Sequence, residues 1–232
     1  MRKHHAVPEI QAKRGDNWSG CSIQGVARMQ NSDAMAVTDS GPCRAFAVAD
    51  GVGSMEASPT ASRTAADTAI AWVRAHADIS LEDVPGMLAA VNDAVGSALQ
   101  GDAGAGATTL ACAIVTTDRT IVATIGDSEA LAVDLDGPAR RLNELDHLPG
   151  RPNMLLAWID GEAEFDPHVI ALDVIPHRLC LLTDGVVKVL DYETIAAIIR
   201  GASLPDSAQA LVMAARDAGA SDDVTALVLG GV

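Results

Sequence analysis

Four apolar segments of this 232-residue chain meet an acid where the run breaks off. "FAVADGVGS" reaches Asp50 and Gly51, "TIVATIGDS" reaches Gly126 and Asp127, and "RLCLLTDGV" reaches Thr183, Asp184 and Gly185. In "GASDDVTALVL", Asp222 and Asp223 precede the run. A strand that stops in this way holds a carboxylate at the edge of a sheet. If such strands are neighbours, the carboxylates converge and repel one another unless protonated or neutralised. Mg²⁺ or Mn²⁺ suits that task, because hard divalent ions favour carboxylate, carbonyl and water oxygens. A pair of such ions can activate water and clamp a phosphoryl group. Most single Asp-Gly pairs are plain turns, so the pattern alone leaves two readings open: scattered turn acids, or a two-metal hydrolase.

Convergence requires paired strands. "NWSGCSIQGVA", "AMAVTDS", "CRAFAVAD", "TLACAIVTT", "TIVATIGD" and "EALAVDLDG" read as strands bounded by turn residues, as do "HVIALDV", "RLCLLTD" and "DVTALVLGG". Residues 56–77 and 81–100 have helical spacing, with Ser58 expected as a cap, Pro59 at the first helical position, and a weak point near Pro85 and Gly86. "GDAGAGA" (101–107) reads as a flexible loop. Two further helices are expected at "YETIAAIIR" and "DSAQALVMAARDAG". This order predicts an α+β fold with two packed antiparallel sheets flanked by helix pairs, an αββα sandwich. Residues 1–16 read as a loose N-terminal arm and 17–232 as a single domain.

Composition narrows the function. Hydrophobic residues make up 49% of the chain, enough for one core, but aromatics only 3%, so Ala, Val, Leu and Ile must build it. A formal net charge of -15 argues against nucleic acid and anionic membrane as partners. The four cysteines, Cys21, Cys43, Cys112 and Cys180, lack zinc-site spacing and read as reduced thiols of a cytoplasmic protein. The opening "MRKHHAVPEIQAKRGDN" has no apolar segment of the kind a secretory leader needs, and no run reaches membrane-spanning length. Asp67, Asp78 and Asp93 read as solvated helix-face acids.

In order along the chain, "RMQNSDA", "VADGVGSMEASPTAS", "GATTL", "IGDSEA", "LTDGV" and "SDDVT" resemble the motifs of the type 2C metal-dependent serine/threonine protein phosphatases. The resemblance runs from about Ser22 to Val228. It implies that Asp50 bridges two Mn²⁺ or Mg²⁺ ions, with the Gly51 carbonyl, Asp184 and Asp222 as further ligands and Asp127 holding a third, weaker ion. It also implies that Arg28 grips the substrate phosphate and that Asp33 orients the water. A guanidinium suits phosphate because its planar fork makes two bonds at once. Without the motif, Arg28 reads as a surface charge. Asp223 stands where the family often has Asn and is left to brace a neighbouring loop, so Asp223→Asn is expected to be mild. Thr108 and Thr109 read as satisfying backbone groups at a strand start, and His147 as structural.

The sequence departs from the family pattern in three places. Ser32 replaces a common Glu or Gln, Met55 replaces a His, and the flap segment after "LDHLPGRPN" is short or missing. The resemblance implies hydrolysis of phosphoserine and phosphothreonine on protein substrates. The alternative is an inactive phosphatase-like protein that binds a partner or regulates. A small-molecule phosphohydrolase is a weaker third reading, and the oligomeric state stays open.

Overall fold

The computed structural model describes residues 10–231, except 27, 54, 101–103, 149, 163 and 174–175; the side chains of 152 and 153 are also outside the description. Strands β1 (Ile10–Gly15), β2 (Trp18–Ile23), β3 (Asp33–Thr38) and β4 (Arg44–Asp50) lead into helices α1 (Ser58–Ala75) and α2 (Val84–Leu99). Strands β5 (Leu110–Val115), β6 (Thr120–Ile125), β7 (Glu129–Val133) and β8 (Arg140–Arg141) follow. A small hairpin, β9 (His147–Leu148) with β10 (Arg151–Leu155), precedes β11 (His168–Leu172) and β12 (Arg178–Leu182). The chain finishes with α3 (Asp184–Val187), α4 (Tyr192–Gly201), α5 (Leu204–Asp217) and β13 (Val224–Gly230).

The strands form one sheet in the order β1-β2-β13-β12-β7-β8 and a second in the order β11-β6-β5-β4-β3. Every strand pair in both sheets is antiparallel. The α+β sandwich expected from the sequence is therefore observed, with α1 and α2 on one outer face and α4 and α5 on the other.

Alternation along each strand creates three apolar layers. Phe46 and Val48 of β4 face Leu179, Leu181, Leu227 and Leu229 between the sheets, where Trp18 meets Phe46 edge-on at 6.1 Å. The intervening Ala45, Ala47 and Ala49 face Ala61, Ala65, Ala66 and Ala69 of α1. Small residues on both sides let the helix lie close to the sheet, which offsets the shortage of aromatic rings. Leu182, Val228 and Ala226 face the second helix pair, where Ile195, Ile199 and Leu211 fill the space.

Several local expectations are corrected. Residues 10–15, expected within a loose arm, pair along their full length with β2 as strand β1; residues 1–9 lie outside the described residues. Ser58 is not a cap: Ala57 takes that position, and the Ser58 hydroxyl donates to the Val52 carbonyl at 2.8 Å. Pro85 and Gly86 do not interrupt a helix but open α2, after a 3-10 turn at Leu81–Asp83. A missing proline N–H costs nothing in the first helical turn. The described part of the Gly/Ala loop is held rather than loose, because Ala57 N–H donates to Ala105 O and Val52 N–H to Ala107 O. Asp67 and Asp93 are exposed on α1 and α2, as expected, whereas Asp78 is exposed but lies beyond the end of α1.

Candidate functional site

Asp50 ends β4 in one sheet, whereas Asp184 follows β12 and Asp222 precedes β13 in the other. Asp127 lies in the β6–β7 turn, where the chain crosses between sheets. All four carboxylates therefore reach one edge of the sandwich. Together with Arg28 they line a cavity of about 390 Å³, completed by Val52, Gly53, Thr109, Leu155 and Lys188.

The backbone around Asp50 is tied on both sides. Its N–H donates to Thr109 Oγ1 at 3.0 Å, and its carbonyl accepts from Thr108 Oγ1 and from Thr109 N, each at 2.9 Å. The two threonines thus satisfy backbone groups, as read from the sequence, and in doing so they orient Asp50. Gly51 is forced by packing, since a Cβ there would stand 2.7 Å from the Ser32 carbonyl and 2.9 Å from that of Ser58. Neither Gly51 nor Asp33 lines the cavity. Asp33 is buried directly opposite Asp50 in the β3–β4 register and accepts from Thr183 Oγ1 at 2.8 Å, next to Asp184.

Arg28 leans across the cavity to Asp222. Its Nε and Nη2 donate to Asp222 Oδ1 at 2.9 and 2.5 Å, and Nη1 donates to the Gly53 carbonyl at 2.7 Å. Three of the five guanidinium N–H groups are so engaged, leaving two for another acceptor. Asp223 turns the opposite way, as alternation along an extended segment requires. Its Oδ1 accepts from Gly25 N at 2.6 Å and its Oδ2 from Ser32 N at 2.8 Å. It therefore braces both ends of the loop that carries Arg28.

The electrostatics are those of crowded carboxylates. Burial pushes the Asp50 carboxyl well above the usual range, with Asp184, Asp33, Asp127 and Asp222 adding repulsion. Burial does the same to Asp33, helped by Asp223 and Asp184 and opposed by hydrogen bonds from Thr225 and Thr183. Asp127 rises to about 6, again from burial first and Asp184 second. Two buried oxygens, Asp33 Oδ1 and Asp184 Oδ1, have no hydrogen-bond partner. Among the described residues, no three acidic, His or Cys side chains close around one point as a ready-made metal site.

The sequence reading missed Lys188, whose Nζ contacts Asp184 Oδ2. The signal was an i,i+4 acid–base spacing, visible only if "DGVVK" is read as a helical turn. Asp146 was also missed. It accepts from Gly126 N at 2.8 Å and pairs with His168 Nε2 at 3.0 Å, holding the turn before Asp127. Strand β9 and the start of β10 lie within "LDHLPGRPN" itself, and Leu155, at the end of β10, walls the cavity. Val52 and Leu155 also line an adjoining apolar cavity of about 600 Å³, with Met55 and Trp158.

The sandwich of two antiparallel sheets flanked by helices is the fold shared with solved serine/threonine phosphatases. The family model for protein phosphatase 2C matches residues 26–218, and the chain belongs to this family. The serine/threonine phosphatase Stp1 from Staphylococcus aureus is similar with a TM-score of 0.82 at 18% identity, covering 97% of this chain and 95% of that one. The Mycobacterium tuberculosis serine/threonine phosphatase PstP/Ppp gives 0.77 at 22% identity, over 92% and 97%. The Mycobacterium smegmatis Ser-Thr phosphatase MsPP, in complex with cacodylate, gives 0.79 at 24%, over 93% and 98%. No curated protein sequence matches the chain.

Proposed function

We propose that this chain is a protein serine/threonine phosphatase that hydrolyses phosphoserine and phosphothreonine with two Mn²⁺ or Mg²⁺ ions. The observation that carries this reading is the cavity in which Asp50, Asp127, Asp184 and Asp222 face Arg28. The donor set fits a hard divalent ion. It consists of carboxylate oxygens, two nearby buried oxygens lack any partner, and burial with mutual repulsion raises Asp50 and Asp33. Asp50, the Gly51 carbonyl, Asp184 and Asp222 would hold the two ions, with Asp127 toward a third, weaker one. When bound, such ions supply Lewis acidity and a nucleophilic water.

The other steps belong to the chain itself. Arg28 offers its two remaining N–H donors to phosphoryl oxygens, where a charge-assisted fork is strongest. Asp222 holds that guanidinium in place, and Asp223 anchors its loop. Asp33 fixes Thr183 beside Asp184 from behind the cavity wall and, as the resemblance implies, would orient water once ions are bound. The adjoining apolar cavity gives a side chain flanking the phosphoresidue room to lie, which favours a protein over a nucleotide substrate. The reading extends to a cytoplasmic location, supported by four free, buried thiols.

The test is release of phosphate from a phosphothreonine peptide with and without Mn²⁺, alongside Arg28→Ala. Loss of a charge-assisted contact of about 1.5–3 kcal/mol should lower kcat/KM roughly 10- to 100-fold. No Mn²⁺-dependent turnover by wild-type protein would leave the alternative, an inactive phosphatase-like protein that binds a partner.

A further inference from the structure

Lys188 is the one cation besides Arg28 among the described residues lining the acidic cavity. It sits at the C-terminal end of the single-turn helix α3, four residues beyond Asp184, and its backbone N–H donates to the Asp184 carbonyl at 2.9 Å. The turn thereby folds the side chain back, and Nζ closes on Asp184 Oδ2 as an i,i+4 ion pair. The other Asp184 oxygen is buried and has no partner. Asp127 and Asp50 also act on the ammonium electrostatically, so its field is felt beyond the ion pair.

Charge within the cavity makes the consequence concrete. Four carboxylates, Asp50, Asp127, Asp184 and Asp222, face Arg28 and Lys188, leaving a formal excess of two negative charges. Arg28 is spent on Asp222, so Lys188 alone neutralises the Asp184 side. A divalent ion approaching Asp184 must displace this ammonium or share the carboxylate with it. Like charges that share one carboxylate at van der Waals range repel strongly in a partly buried site.

We propose that Lys188 is a tethered counter-cation that competes with a divalent ion at Asp184 and keeps that ion position at low affinity. This rests on the reading that Asp50 and Asp184 hold divalent ions. A mobile ammonium suits this role better than a guanidinium would, because its charge is compact and its four-carbon stem can swing clear. It also lets the acid edge fold before any ion arrives, since a positive charge is already present among the repelling carboxylates. Metal occupancy at Asp184 then follows the divalent-ion concentration rather than being permanent.

The experiment is calorimetric titration of the full chain with MnCl₂ after chelation, for wild type, Lys188→Met, Lys188→Gln, Lys188→Arg and Asp184→Asn. The neutral variants should bind Mn²⁺ about tenfold or more tightly at one position, while Lys188→Arg, still cationic but less able to swing clear, stays at or below wild-type affinity. In chelator, Lys188→Met should melt below wild type, and Mn²⁺ should raise its Tm by more than it raises that of wild type. Lys188→Gln provides the same comparison with a polar side chain if Lys188→Met does not fold. Equal Mn²⁺ affinity in wild type and both neutral variants, with Asp184→Asn weakened, overturns the role of Lys188 and leaves the metal reading standing. Absence of Mn²⁺ binding in every variant, with no difference at Asp184→Asn, overturns the metal reading and this inference with it.

Discussion

Asp223→Asn is the most informative single-atom change in this protein. Both carboxylate oxygens accept backbone N–H groups, Oδ1 from Gly25 and Oδ2 from Ser32. An amide has one oxygen, so whichever way the substituted side chain turns, its NH₂ must face an N–H donor. One charge-assisted hydrogen bond is lost, about 1.5–3 kcal/mol, and the stranded donor is buried. Burial disfavours the charged form of Asp223, as its raised pKa indicates, so removing the charge returns part of the loss. The net expectation is a destabilisation of about 2 kcal/mol, or about 4–8 °C in Tm for a domain of this size. Asp223→Ala removes both acceptors and should cost more. Urea unfolding followed by tryptophan fluorescence reads both variants. The family resemblance alone implies that Asn is mild here. Unfolding of Asp223→Asn within about 0.5 kcal/mol of wild type would show that reading to be right and the two-acceptor argument wrong.

Three further changes probe the same edge and its supports. Asp50→Asn should abolish the heat of Mn²⁺ binding while raising the Tm of the chelated protein, because it removes the carboxylate most crowded by Asp184, Asp33, Asp127 and Asp222; a lower Tm in chelator would mean the crowding carries no cost. Gly185→Ala would set a Cβ 2.0 Å from the Asp223 carbonyl oxygen, so thermal unfolding should report a loss of about 3 kcal/mol, and near-wild-type stability would mean the α3 turn yields freely. Glu129 is held protonated to higher pH by burial, against the hydrogen bond from Tyr192 at 2.7 Å and the nearby charge of Arg141. A carboxyl with a raised folded pKa costs stability above that pKa and nothing below its unfolded value. Glu129→Gln should therefore raise Tm at pH 7–8, with the gain vanishing as pH falls to about 4.5; a gain that grows toward acid would reverse the sign assigned here.

Local patterning was enough to place the layers and the strand-end acids, whereas Arg28, Asp33 and the Gly51 carbonyl were singled out only by the family resemblance. Period-two runs such as "RAFAVAD" divide into Ala45, Ala47 and Ala49 toward a helix and Phe46 and Val48 toward the opposite sheet, and strand pairing preserves that division. Acids at the ends of apolar runs were legible because strand ends coincide with those breaks, and the alternation at Asp222 and Asp223 follows from local backbone geometry. Interactions across long chain separations were not legible. Nothing local makes Arg28 and Asp222, 194 residues apart, share a hydrogen bond, or sets Thr183 on Asp33, or Asp146 against Gly126 and His168. β1 was missed because its short IQAKRG run is exposed on both faces and has no sustained apolar pattern, and it is held by backbone pairing to β2. Ser58 looked like a cap because capping residues are identified by type, whereas its hydroxyl partner, the Val52 carbonyl, is supplied by the turn after Asp50. Lys188 stands between the two cases. Its spacing from Asp184 is local, but its place among the acids depends on β4, β6 and β12 meeting at one edge, and that meeting exists only once the two sheets have closed on each other.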